Sequence, residues 1–305
     1  MLLPWMIFSF AYFGSPFPNT ISAKTVAYVV TPGLAFQTLF PNAANPFFEA
    51  VLFGPIGFGF AILNLLLSLF GLLFTARNTA RLLPLLIYPF AYIAAFSIAN
   101  PLIFRWYVVP PLPGLMLSLG IGAWSVISGL QKRAPRIRSL TPVALGMLGI
   151  FWILTSLSAW TLHPDQGAPY PAPRMAFNGI ELNYEGVARR LVTDYGVTPQ
   201  TIVASADIGT IGYFTRAQII DTVGLVTPAL SKYYPFPRDI LVPGQNYAIT
   251  PQLILDTQPE YFISMEAFVR LGLEQNPAFK AQYGDPIIVV PTTYYGTDMR
   301  AYKRK

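Results

Sequence analysis

The chain has 305 residues, 53% of them apolar and 11% charged, with a formal net charge of +6. Soluble domains carry about 25% charged residues, so a wholly soluble protein is excluded and part of the chain sits in lipid. Cysteine is absent and His163 is the single histidine, which excludes a disulfide framework, a thiolate metal site and a multi-histidine metal site; no cofactor is implied.

The apolar run at residues 1–13, MLLPWMIFSFAYF, is closed by GSPFPNT. A spanning helix needs roughly 20 apolar residues, so this run is a partial helix. It is not a cleavable leader either, because the first positive charge, Lys24, follows the run instead of preceding it. Residues 14–49 are apolar but punctuated by Pro32, Gly33, Pro41 and Pro46, and read as an external or interfacial segment. Four uncharged stretches long enough to span follow at about 50–76, 82–104, 106–131 and 139–162. Prolines inside them, such as Pro55, Pro84, Pro89, Pro110, Pro111 and Pro113, are tolerated where neighbouring helices re-satisfy the freed carbonyls, and kinked spans are expected.

Charge placement gives an orientation. Of fourteen acids, Glu49 alone precedes residue 163, while the bases divide eight before and twelve after. The first part is therefore +7 (8 − 1) and the second −1 (12 − 13). Arg77 and Arg81, with Lys132, Arg133, Arg136 and Arg138, occupy one set of loops; Lys24 and Arg105 occupy the alternate set. Positive residues are retained on the cytoplasmic side, which places GSPFPNT, the turn at 100–105 and everything after His163 outside. The basic excess belongs to these loops, so no nucleic acid is expected as a partner.

From about residue 164 the texture becomes that of a soluble domain. HPDQGAPYPAP is a proline-rich linker. NYEGVARRLVTDYG has helical spacing through Tyr184, Val187 and Leu191, with Gly196 as its stop. TIVASAD is a buried-strand pattern followed by a glycine turn and then QIIDTVGL; TPQLILDTQ is a short helix, and EYFISM, PIIVV and DMRAYKR read as strands. The fold class expected is an α-helical multi-pass membrane bundle (1–163) followed by a small extracytoplasmic α/β domain (164–305).

GSPFPNTISAK, FRWYVVPPLP and ADIGTIGYFTRAQIIDTVGLVTP, taken in this order, resemble the later part of bacterial membrane glycosyltransferases of the GT-C class. The resemblance implies transfer of a sugar from a polyprenyl-phosphate donor to a glycan or lipid acceptor at the outer face of the cytoplasmic membrane. In such enzymes earlier helices precede the Pro-Asn loop, and their first external loop carries the acid that acts as base. The resemblance therefore implies a C-terminal portion, a fragment or split product, catalytically incomplete as it stands, with a separate chain as a conceivable source of the N-terminal helices. The alternative is a non-catalytic membrane-anchored protein whose outer domain binds a glycan or a partner protein.

The candidate residues each carry a functional and a structural reading. Arg105, beside Trp106 and Tyr107, is placed to hold the lipid phosphate by charge-assisted hydrogen bonds, or else snorkels in an aromatic belt. Lys24 is a second phosphate partner or an exposed interfacial lysine. Glu49 is the candidate base, or an acid capping a helix dipole. Asn19 is expected to cap a helix starting near Ile21. Asp207 and Asp221 end strand patterns, where acids line α/β sites or cap the following turn, and the turn-capping role is the one expected. DIGTIG lacks the glycine spacing of a dinucleotide fingerprint and is expected to precede no ordinary helix. His163 is a linker residue.

Overall fold

The computed structural model describes residues 2–14, 19–44, 54–103, 105–134 and 176–292, a few positions between 142 and 150, and 298–305. Glu49, His163, the proline-rich linker and most of the fourth expected span lie outside the described residues, as does the side chain of Arg105. Contacts divide the chain into two compact units: Met1–Val29 with His163–Lys305, and Val30–Leu162.

Two helices belong to the first unit before the chain leaves it, α1 (Leu2–Phe13) and α2 (Asn19–Val26). The second unit holds α3 (Leu34–Ala44), α4 (Gly54–Asn78), α5 (Leu83–Ala99) and α6 (Leu112–Arg133). Among the described residues three helical stretches are long and apolar enough to cross a membrane: Ala61–Asn78, Ala80–Ala99 and Leu112–Arg133.

The prolines set where these helices begin more than where they bend. Pro84 and Pro113 sit in the first turns of α5 and α6, where the missing N–H is one that a helix start leaves unpaired anyway. Pro110 and Pro111 lie in the turn before α6, and Arg105–Val108 forms a short 3-10 turn. The expected span 106–131 is thereby corrected to Leu112–Arg133. Likewise 82–104 ends as a helix at Ala99, because Asn100 adopts the left-handed conformation (φ 44°). Asn100 then serves α3: its Oδ1 accepts from Ala35 N–H at 3.1 Å and its Nδ2 donates to the Thr31 carbonyl at 3.0 Å.

The close approach of α4 and α6 depends on small residues. A Cβ added to Gly71 would lie 1.9 Å from the Ser118 carbonyl, and one on Gly122 the same distance from the Leu67 carbonyl. Ser118 donates its hydroxyl to the Ser68 carbonyl at 2.5 Å. In lipid the hydrophobic effect does not drive helices together, and backbone proximity through small residues with inter-helix hydrogen bonds is what holds them.

The α/β domain is built on a five-stranded sheet among the described residues, order β2-β1-β3-β5-β4. Its strands are β1 (Ile202–Ser205), β2 (Gln218–Asp221), β3 (Tyr261–Met265), β4 (Ile288–Pro291) and β5 (Asp298–Lys303). β2, β1 and β3 are parallel, while β5 runs antiparallel to β3 and β4. Helices cover both faces: α7 (Ala176–Tyr195) and α8 (Ile208–Thr215) on one, α9 (Pro251–Thr257) and α10 (Pro277–Tyr283) on the other. The alternation of β3 decides which residue meets which layer. Tyr261, Ile263 and Met265 join Tyr184, Val187 and Leu191 of α7, whereas Phe262 joins Leu253 of α9 and Phe279 of α10.

Candidate functional site at the carboxyl ends of β1 and β2

In a sheet of this kind ligands bind beyond the carboxyl ends of the parallel strands, where the connections diverge. Here the divergence falls at β1, whose chain continues through α8 to β2 on one side while β3 lies on the other. Ser205 and Asp221 are partners across the last register position of β1 and β2.

The two strand-end acids behave differently. Asp221 is fully buried and fully engaged, with Oδ1 accepting Val223 N–H and Oδ2 accepting Val226 N–H, each at 2.9 Å. Its own N–H donates to Thr227 Oγ1 at 3.2 Å. It shapes the loop after β2, as expected of a turn-capping acid. Gly224 supplies the left-handed turn that this loop needs (φ 86°).

Asp207 does not cap. It precedes α8 in an extended conformation, yet its side chain accepts none of the first-turn N–H groups. The helix itself corrects two expectations, since the glycine turn after TIVASAD is the start of α8 and DIGTIG does lead into a helix. Asp207 itself is exposed at the start of α8, although neighbouring groups crowd its carboxyl. Burial is the main cause that pushes it up to about 6, with the Glu181 carboxylate of α7 next and Asp221 a smaller contributor; Tyr184 acts in the opposite sense as a donor. Glu181 accepts a hydrogen bond from Thr210 Oγ1 of α8. Among the described residues no ion pair joins Asp207 or Glu181 to a cation, and no group of three or more acids or histidines stands ready to hold a metal.

Tyr184 of α7 lies next to Asp207. The residue has no accessible surface, and its hydroxyl makes no hydrogen bond of normal geometry. Asp207 and Ser205 nonetheless lie near enough to act on it, and burial holds it well above the usual tyrosine range. Tyr28, from the segment after α2, borders the same region: burial raises it first, then Asp207, Tyr234 and Asp221. Its ring packs 5.3 Å from that of Tyr247, and Tyr247 donates to Thr222 Oγ1 at 3.0 Å.

The residues expected from sequence are placed as follows. Asn19 is the first residue of α2, and its amide is committed to the Gly224 and Leu225 carbonyls, which replaces the capping role expected of it. Lys24 is half-buried in the last turn of α2. Tyr107 packs edge-on to Phe96, ring centroids 5.4 Å apart, beside Ile103 in the second unit. Arg105 opens the 3-10 turn in that same unit. Glu181, Tyr184 and Tyr28 escape a sequence reading. The available signal is the three-residue spacing of Glu181 and Tyr184, which puts both on one face of α7.

The helical unit has a cavity of its own, about 300 Å³, lined by Phe36, Phe40, Leu65, Phe90, Ile98 and Leu115. Ser97 also lines it and carries a buried hydroxyl with no hydrogen-bond partner. Its walls suit a hydrocarbon chain.

Comparisons with curated proteins and with solved structures found no match. A family model described as a domain of unknown function, DUF8728, matches residues 178–301, which run from α7 into β5.

Proposed function

We propose that this protein is a membrane glycosyltransferase of the GT-C kind, using a polyprenyl-phosphate sugar as donor at the extracytoplasmic face of the cytoplasmic membrane. In the reaction the bond from the anomeric carbon to the carrier phosphate breaks and a bond to an acceptor hydroxyl forms. The hydroxyl proton passes to a carboxylate, and Glu49 is the candidate base of the membrane part. Arg105 and Lys24, with Tyr107 beside Arg105 in sequence, are the candidate binders of the departing phosphate.

The observation that carries the reading is the apolar cavity of the helical unit, whose walls suit a lipid chain. Helices of spanning length support the lipid-linked side of it. The test is binding of radiolabelled polyprenyl-phosphate sugars by the full chain in lipid nanodiscs. Donor binding, weakened in Arg105→Ala with little change in folding, is the expected result. Failure to bind polyprenyl phosphate at all would remove the reading.

A second reading, a membrane-anchored protein that binds a glycan without transferring sugar, is favoured by one observation: Glu181, Tyr184 and Asp207 all belong to the α/β domain.

A further inference from the structure

We propose that the cavity of the helical unit seats only the two isoprene units of the carrier that lie next to its phosphate, with the Ser97 hydroxyl meeting the phosphate-ester oxygen. It rests on the polyprenyl-phosphate reading and adds which part of the carrier the protein recognises.

The cavity has a definite end and a definite size. The start of α3 meets the end of α5 where Asn100 Oδ1 accepts Ala35 N–H, and the residues after α5 stay there: Ile103 packs with Ala35 and Leu39, and Tyr107 lies edge-on to Phe96. From that end the lining runs from Phe36 to Ala43 on α3 and from Ser97 back to Phe90 on α5, with Leu65 of α4 and Leu115 of α6 completing the wall. At a rise of about 1.5 Å per residue this is a length of about 10 Å. The volume is about 300 Å³. A dry apolar cavity of about 150 Å³ takes one benzene molecule, so this one has room for about ten to twelve carbons. Two isoprene units fill it, and the rest of a long carrier stays in the bilayer.

The walls also select the kind of chain. They are apolar and partly aromatic, with the Phe36 and Phe40 rings stacked 4.8 Å apart. A saturated chain confined in so short a space gives up the rotation of nearly every bond. An isoprenoid of the same carbon number has fewer rotating bonds to freeze and is favoured by that difference.

Ser97 marks the head end. It is the one polar residue of the lining, it follows Phe96 at the end where Tyr107 packs, and its buried hydroxyl has no partner. Other hydroxyls of this unit are spent on backbone carbonyls: Ser118 on Ser68, Ser125 on Ile121 and Thr38 on Leu34. A buried donor without an acceptor is costly. The ester oxygen of a prenyl phosphate supplies the acceptor while the chain runs toward Phe90 and Ala43.

The experiment uses the full chain in nanodiscs, with empty nanodiscs as the blank, and reads displacement of radiolabelled decaprenyl phosphate. The competitors are dimethylallyl, geranyl and decaprenyl phosphates, decyl phosphate and inorganic phosphate. Geranyl phosphate should compete within about threefold of decaprenyl phosphate, while dimethylallyl phosphate should be weaker by about tenfold or more. Decyl phosphate should fall below geranyl phosphate, and inorganic phosphate should not compete. Ala94→Leu, which fills the cavity, should weaken both long competitors by about tenfold, and Ser97→Ala should weaken them by about threefold or more. Ala95→Leu, the next residue of α5 and outside the lining, should change nothing at the same unfolding temperature. Decaprenyl phosphate binding at least tenfold tighter than geranyl phosphate, decyl phosphate matching geranyl phosphate, or binding indifferent to Ala94→Leu and Ser97→Ala would each overturn the proposal and leave the polyprenyl-phosphate reading standing. No binding by a prenyl phosphate of any length would remove both.

Discussion

Asn19 and Gly224, 205 positions apart in sequence, are joined by a 2.8 Å hydrogen bond from the Asn19 side-chain amide to the Gly224 carbonyl. The other amide hydrogen reaches the Leu225 carbonyl at the same distance. Both carbonyls belong to the loop that Asp221 folds by holding Val223 and Val226 N–H. Further along, Val29 N–H donates to the Asn246 carbonyl at 2.7 Å, and Ala27 is fully buried in the domain core. The segment carrying Lys24 is thus tied to the α/β domain at both ends.

Asn19→Ala should therefore destabilise the α/β domain by about 1–2 kcal/mol, two hydrogen bonds to carbonyls being lost. It should also expose the Asn19–Val29 segment to proteolysis. Denaturant unfolding with limited digestion measures both. Unchanged digestion would show that the segment holds without the amide.

Helix packing gives a second prediction. Gly122→Ala puts a methyl group against the Leu67 carbonyl and should cost about 1–3 kcal/mol by forcing α4 and α6 apart. Gly129→Ala, on the same helix but facing open space, should be neutral or slightly stabilising. Thermal unfolding of the two purified variants is the measurement, and equal stability would contradict the α4–α6 crossing.

Orientation is open to direct labelling, because the chain has no cysteine of its own. Thr79→Cys and Ser231→Cys, both at exposed positions, should react with a membrane-impermeant thiol reagent from opposite sides in intact cells. Reaction from the same side would contradict the reading drawn from the Lys and Arg loops.

Much of the domain was legible because its signals are local. Tyr184, Val187 and Leu191 lie at helical spacing and all three are fully buried in α7, and the runs around Val203, Phe262 and Ala301 are the central strands. α8 was not legible, since two glycines in IGTIGYFT lower helix propensity and what holds the segment is tertiary, with Ile211 buried against α7 residues. The site was legible only in part. Asp207 stands out at a strand end, but Glu181 and Tyr184 reach it from a helix more than twenty residues earlier. Nor does sequence tell which of two strand-end acids is spent on its own loop: Asp221 is, through Val223 and Val226, and Asp207 is not.

The raised Asp207 carboxyl has a sign for stability. Its folded value, about 6, exceeds the ordinary 3.8, so the folded chain holds this proton more tightly than the unfolded chain. The stability it contributes is complete below the ordinary value and is lost as pH rises through about 6. Asp207→Asn should therefore gain in unfolding temperature relative to the parent between about pH 4 and about pH 7, and level off above that. A difference that stays flat over this range would contradict the assignment.

The most direct measurement is the titration of Asp207 itself, followed by the carboxyl carbon shift in the full chain labelled at aspartate and assigned by its loss in Asp207→Asn. The account predicts a midpoint at about 6, moving down in Glu181→Gln as the neighbouring charge is removed. A midpoint in the ordinary aspartate range, indifferent to Glu181→Gln, would contradict it.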